Sequence, residues 1–175
     1  MISFVYFDVG GTIIKDLSET NKQKQFKNDT EMSCGRVPLE PSFVRKLVSQ
    51  FKKNESIWPI INKVKEYYRV GLLTNMYSGM LAEIRKQGLL PEVQWDLIVD
   101  SSVEGFAKPD KEIYEIAQKR AGVKNEELFF IDNTFANIEA AKNLGWQTFW
   151  YDSKNYENSS NKLADFLLNE SRNSS

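Results

Sequence analysis

Residues 4–16 read FVYFDVGGTIIKD, an apolar run that ends in Asp8 and is followed at once by Gly10, Gly11 and Thr12. A carboxylate at the end of a strand, next to a turn of bare backbone N–H groups, suits phosphate chemistry. Two unrelated machines begin this way. In one, the aspartate oxygen attacks phosphorus. In the other, D-x-G-G-T opens a hairpin that wraps the phosphates of ATP. Three more polar side chains close apolar runs further on: Thr74 in VGLLTN, Asp100 in WDLIVDS and Asp132 in ELFFID.

These residues need elements to hold them. Residues 2–8, 70–75, 95–101, 127–132 and 147–152 are short apolar runs without strict alternation, the pattern of strands buried on both faces. Between them lie segments with helical spacing. SFVRKLVSQFKKN puts Phe43, Val44, Leu47, Val48 and Phe51 on one stripe and predicts a helix over 43–53. ESIWPIINKVKEYYR, GMLAEIRKQGLL, PDKEIYEIAQKRAGV (stopped by Gly122) and FANIEAAKNLG predict four more, and residues 159–169 a last one. Strands alternating with helices predict an α/β fold: a three-layer, Rossmann-like parallel sheet with helices on both faces. In such folds reactive groups sit just beyond the carboxyl ends of the strands, where Asp8, Thr74, Asp100 and Asp132 fall.

Composition narrows the chemistry. The 175 residues carry 41% apolar and 27% charged side chains and a net charge of −1. No basic field points to nucleic acid or an anionic membrane. There is no histidine, which excludes Ser-His-Asp and Cys-His catalysis and histidine-based zinc sites. Catalysis must rest on carboxylates, lysines, hydroxyls or a carboxylate-held metal. The single cysteine, Cys34, has no histidine to activate it and reads as a spectator. MISFVYFD lacks the basic start of a signal peptide, and no apolar run reaches the ~18 residues of a membrane helix. The expected location is cytoplasmic.

The ATP-wrapping hairpin, as in the sugar-kinase and actin-like fold, calls for two related halves and for antiparallel strands directly after the glycines. Residues 17–41 are polar and unlike strands. The other machine gains three later stretches: LLTNM after a strand, AKPDKEIY opening a helix, and FFIDNTFANIEAAKNLG joining a strand to a helix. With FDVGGT, these resemble in order and spacing the four motifs of the haloacid dehalogenase-like hydrolase superfamily. The resemblance covers residues 1–13 and about 55–152. It implies that Asp8 is a nucleophile forming an aspartyl-phosphate, and that the backbone N–H groups of Gly10 and Gly11 hold phosphate oxygens. It implies further that Thr74 with Asn75 binds the transferring phosphoryl group and that Lys108 neutralises that group and the nucleophile. Mg2+ would be held by Asp8, the Gly10 carbonyl and Asp132.

Three departures qualify the resemblance. Many family phosphatases carry a second aspartate two residues after the nucleophile, which protonates the leaving oxygen; here that residue is Gly10. A positioned acid/base contributes about 10²–10⁴ in rate, so aryl and acyl phosphates should be tolerated better than alkyl ones. In IDNTFAN, Asp132 keeps the first slot of the metal motif, Asn133 replaces a second carboxylate and Asn137 fills the last. The segment between the first and second motifs, residues 14–54, is short for a helical cap. We expect a core of residues 1–13 and 55–175 with a rudimentary cap. An open site favours large substrates or a second copy of the chain that covers it, and the expected partner is a small-molecule or exposed phosphate substrate.

The expected function is a magnesium-dependent phosphatase, slow or selective for good leaving groups. A catalytically degenerate binding or scaffold protein is the alternative from another class. A metal-independent 2-haloacid dehalogenase is the third. Members that displace halide lack the second aspartate and carry a tyrosine six residues after the lysine, as Tyr114 is here. They also use a cap arginine, for which Arg36 or Arg45 would have to serve.

Overall fold

A computed structural model describes residues 1–16 and 39–173; Cys34 and Arg36 lie outside the described residues. Along the described chain run β1 (Phe4–Phe7), β2 (Ile14–Asp16), α1 (Pro41–Val48), β3 (Phe51–Lys53), α2 (Trp58–Val64), β4 (Arg69–Thr74), α3 (Met80–Lys86), β5 (Leu97–Asp100), α4 (Ser101–Glu104), α5 (Lys111–Ala121), a 3₁₀ turn (Asn125–Glu127), β6 (Leu128–Asp132), α6 (Phe135–Asn143), β7 (Gln147–Trp150) and α7 (Tyr156–Asn173). Five strands form one parallel sheet in the order β5-β4-β1-β6-β7. The expected α/β fold, a Rossmann-like sheet with helices on both faces, is what forms.

Strand alternation sorts the core into two layers. Val5, Phe7, Val70, Leu72, Phe129 and Ile131 point to one face and meet Val44 and Val48 of α1, Ile61 and Val64 of α2, Ile84 of α3, and Leu163 and Leu167 of α7. Phe4, Tyr6, Leu73, Val99, Leu128 and Phe130 point to the other and meet Ile113, Tyr114 and Ala117 of α5 and Ile138 and Ala141 of α6. Both faces are covered, so β1 needs no polar side chain until it emerges at Asp8. Tyr6 is buried only because its hydroxyl donates to Ala117 O at 2.9 Å.

Gly71 in the middle of β4 makes the second layer possible. A Cβ there would lie 2.8 Å from the Tyr6 ring, 2.9 Å from the Phe4 ring and 2.9 Å from Leu97 O. The backbone oxygen belongs to a paired strand and cannot retreat. Gly71→Ala should therefore destabilise the protein by about 1–3 kcal/mol, the cost of overpacking a filled core. Urea unfolding should show the midpoint falling at unchanged slope; an unchanged midpoint would mean that the two rings have room to move.

The 14–54 segment departs from expectation. The predicted helix over 43–53 ends at Val48, and Phe51–Lys53 instead pairs antiparallel with Ile14–Asp16. Val48 is the last buried side chain of the helical stripe, and Phe51 finds partners by joining a strand that leaves the Asp8 turn. A short antiparallel pair thus does follow the glycines, too short to show as a pattern in sequence. Val44 and Val48 of α1 share the apolar cluster that also holds Ile84 of α3. No helix among the described residues is long and apolar enough to cross a membrane.

Candidate active site

Register brings the polar strand ends together. Phe7 is paired with Leu72 on one side and Ile131 on the other, so Asp8 emerges between Leu73 and Asp132. Asp8 N donates to Ile131 O at 2.9 Å. By alternation both carboxylates lie on the Tyr6 and Phe130 face. Lys108 enters from the loop before α5. Its ammonium donates to Asp8 Oδ1 at 2.7 Å, to Asp132 Oδ2 at 2.7 Å and to Leu73 O at 2.8 Å. An ammonium has three hydrogens, and all three are used. Nζ also stands 5.2 Å from the centroid of the Phe130 ring. The lysine and both carboxylates are buried.

One ammonium cannot neutralise two carboxylates. Burial pushes the Asp8 carboxyl up to about 7 against the pull of Lys108, and Asp132 adds to the rise. Burial alone would lower Lys108, but Asp132 and Asp8 outweigh it and hold the lysine above its ordinary value. Lys108 is charged throughout the physiological range, and the strain of the trio falls on a carboxylate.

A further set of bonds fixes these groups. Asp132 Oδ1 accepts from Thr134 N at 2.7 Å and Oδ2 from Asn137 Nδ2 at 3.0 Å. The Asn75 amide donates to Lys108 O and accepts from Lys108 N, both at 2.8 Å. Both ends of Asn75 are thus committed to the lysine's backbone. Thr74, one residue earlier, is buried with Oγ1 unpartnered, as is Thr12 Oγ1 among the described residues. A buried hydroxyl without a partner costs about 1–3 kcal/mol, which a bound acceptor at the site would relieve.

The turn after Asp8 uses its two glycines differently. Gly11 has φ 78° and donates its N–H to Ile14 O at 2.8 Å. That bond belongs to the turn into β2. A Cβ at Gly11 would collide with Asn133 Nδ2, so the glycine makes room for the Asn133 amide. Gly10 is exposed, lies outside the left-handed region, and a Cβ there would meet nothing within 4 Å.

Asn54 is a residue that the sequence reasoning missed. It is fully buried and donates to Thr12 O at 2.7 Å and to Tyr151 Oη at 2.8 Å, while its Oδ1 accepts from Ser56 Oγ at 2.7 Å. Ser160 Oγ of α7 lies 2.6 Å from Tyr151 Oη and closes the network. It ties the glycine turn to β7 and α7. Asn54 sits in a polar run, FKKNES, where nothing marks it as internal.

The other candidates are engaged elsewhere. Asp100 caps α4, accepting from Ser102 N at 2.8 Å; burial raises its pKa against that bond. Tyr114 packs edge-on to Phe130 and donates to Asn137 O at 2.9 Å. Arg45 Nε stands 3.9 Å from Glu83 Oε1.

A family model described as haloacid dehalogenase-like hydrolase matches residues 39–145, more than half of the chain. The chain belongs to this hydrolase family. A glyceraldehyde 3-phosphate phosphatase of Pyrococcus furiosus is 31% identical over 112 residues, 61% of this chain and 45% of that one. The chain spans less than half the length of the curated relatives it matches. Among solved structures, a predicted HAD-like hydrolase of Porphyromonas gingivalis superposes with a TM-score of 0.76 at 22% identity, covering 93% of this chain and 98% of that one. A HAD-family enzyme of Bacteroides thetaiotaomicron, solved with magnesium and inorganic phosphate, gives 0.73 at 19% identity over 87% and 96%. At these identities the structural likeness is one of fold.

Proposed function

We propose that this HAD-like hydrolase cleaves phosphate monoesters with good leaving groups through an aspartyl-phosphate on Asp8. The observation that carries the reading is the convergence of the Asp8 and Asp132 carboxylates on one buried Lys108 ammonium at 2.7 Å each; Thr74, whose buried hydroxyl is unpartnered, ends the neighbouring strand β4. Phosphoryl transfer needs an in-line oxygen nucleophile and positive charge against the equatorial oxygens. Asp8 supplies the first and Lys108 the second. Thr74 donates to a phosphoryl oxygen, Asn75 keeps Lys108 in place, and Thr134 and Asn137 orient Asp132. Residues 14–54 act as a rudimentary cap.

The donor set fits magnesium, which is held through one or two carboxylates and keeps water and phosphate for its other positions. Asp8, Asp132 and the Gly10 carbonyl would hold it, with Asn133 adding no charge. Bound there, the ion supplies positive charge to the transferring phosphoryl group. The magnesium and phosphate of the Bacteroides thetaiotaomicron enzyme and the activity named for the Pyrococcus furiosus relative support this reading.

The test is turnover of 4-nitrophenyl phosphate with magnesium and with a chelator, alongside 2-chloropropionate without metal. Phosphate release that needs magnesium is the expected result. Halide release would move the assignment to dehalogenation, and silence in both arms would leave a binding protein.

A further inference from the structure

The lip of the site carries exposed aromatic surface. Trp150 is 51% exposed and Phe135 is 63% exposed. Large aromatic rings are usually withdrawn from water, and these two are placed by the chain next to the residues of the polar site. Trp150 ends β7 and is the Cα partner of Asp132. Paired positions of parallel strands share a face, so Trp150 stands one strand, ~4.8 Å, beyond the metal-site carboxylate. Phe149 before it packs on the opposite layer, as alternation requires. The indole does not hang free: Nε1 donates to Asn133 O at 3.1 Å. The Asn133 amide in turn lies against Gly11. Phe135 follows two residues later as the first residue of α6, whose Thr134 N–H holds Asp132.

Gly10 supplies the second half of the inference. No carboxylate stands there to protonate a departing oxygen. A phenolate leaves with a pKa of about 10. An alkoxide is a far stronger base, close to hydroxide, and leaves poorly without a proton. The residue that is missing and the rings that are present select the same kind of leaving group.

We propose that Trp150 and Phe135 form a stacking platform for the leaving group of the substrate, which is the monophosphate of a phenol or another flat aromatic alcohol. The inference rests on the phosphatase reading and names its substrate class. A carboxylate oxygen of Asp8 bonds to phosphorus while the bond from phosphorus to the phenolic oxygen breaks. The electron pair leaves on the phenolate, which the rings hold and which takes its proton from solvent. Water then adds to phosphorus, the bond to Asp8 breaks, and a proton passes to solvent. Orthophosphate leaves and the carboxylate is restored.

The experiment compares 1-naphthyl phosphate with acetyl phosphate on the full chain with magnesium. Both leaving groups depart unprotonated, so their ratio of kcat/KM isolates the ring. In Trp150→Ala with Phe135→Ala, that ratio should fall about tenfold, the scale of one or two aromatic contacts. Trp150→Phe should restore most of it, and Tyr67→Ala, exposed just ahead of β4, should not change it. A ratio unmoved by the double substitution overturns the platform even if phosphatase activity is intact. Binding of 1-naphthylmethylphosphonate, followed calorimetrically, serves if no turnover is found. Loss of that binding in the double variant supports the platform while the hydrolytic reading falls; equal binding overturns it. If the double substitution only turns a dimer into a monomer, by sedimentation and with the ratio unmoved, the rings are an interface between copies and the platform is overturned.

Discussion

Asp8→Asn is expected to reduce phosphate-ester turnover to background, a loss on the order of 10³-fold or more, while leaving the protein at least as stable as before. The loss follows from chemistry: an amide oxygen does not form the acyl phosphate that a carboxylate forms. The stability follows from charge. Asp8 Oδ1 accepts from Lys108 Nζ at 2.7 Å, and an asparagine Oδ1 accepts in the same place. What the substitution removes is the second of two carboxylates around one ammonium, leaving Lys108 paired with Asp132 at 2.7 Å. A buried lysine with one carboxylate is closer to balance than one with two.

The pH dependence of stability separates this account from a merely neutral substitution. Burial and Asp132 carry the Asp8 carboxyl from 3.8 up to about 7 in the folded protein. Between those values the folded state holds a proton that the unfolded state has released. Unfolding free energy then falls as pH rises through the window. The contribution is full below about 3.8 and gone above about 7. Asp8→Asn has no such slope. In chelator-treated buffer, the stability of the variant relative to the wild type should be larger at pH 7.5 than at pH 4.5, read from urea midpoints. A difference that does not change with pH would mean that Lys108 neutralises Asp8 fully. Turnover near the wild-type rate would remove Asp8 as nucleophile.

Much of this was legible before the structure, for a physical reason. A strand buried on both faces has to be apolar until it emerges, so Asp8, Thr74 and Asp132 announce their places by ending apolar runs. The parallel sheet then brings them to one edge. Lys108 required the spacing of AKPDKEIY, because nothing local distinguishes it from the other lysines of the chain. Contacts made across the chain were not legible. Asn75 reads as a companion of Thr74, yet both ends of its amide bind the backbone of a residue 33 positions away. Asn54 reads as part of a solvated run, yet it is buried because Thr12, Ser56 and Tyr151 surround it. The helix over 43–53 overshot because Phe51 continues the stripe of Val44 and Val48, although its backbone pairs with Asp16. QTFWYD reads as a buried strand, but β7 lies at the sheet edge, and Trp150 is left half in water.

Gly10→Asp is expected to raise turnover of alkyl phosphates by about 10²-fold or more, and that of aryl phosphates by much less. A positioned carboxyl group contributes about 10²–10⁴ when a leaving oxygen needs a proton, and little when it does not. The backbone accepts the change. Gly10 lies outside the left-handed region and a Cβ there would meet nothing within 4 Å, so neither dihedral strain nor a clash stands against the new side chain. Gly11 is the contrasting case: with φ 78° and Asn133 in the space, the same substitution there would fail for reasons unrelated to chemistry. Charge is the cost at residue 10. A third carboxylate near Asp8 and Asp132 shares the single Lys108, so Asp8 is held still further above its ordinary value unless a divalent cation is present. The gain should therefore require magnesium more strictly than wild-type turnover does. Kinetics on phenyl phosphate and on 2-phenylethyl phosphate, whose ring reaches the same platform through an alkyl oxygen, measure the two leaving groups with the ring held constant. A narrowing of the ratio between them identifies residue 10 as the missing acid/base position. A folded Gly10→Asp protein that binds magnesium and gains on neither substrate would show that this position does not face the leaving oxygen, and would shift the assignment toward a chain that binds phosphate esters without cleaving them.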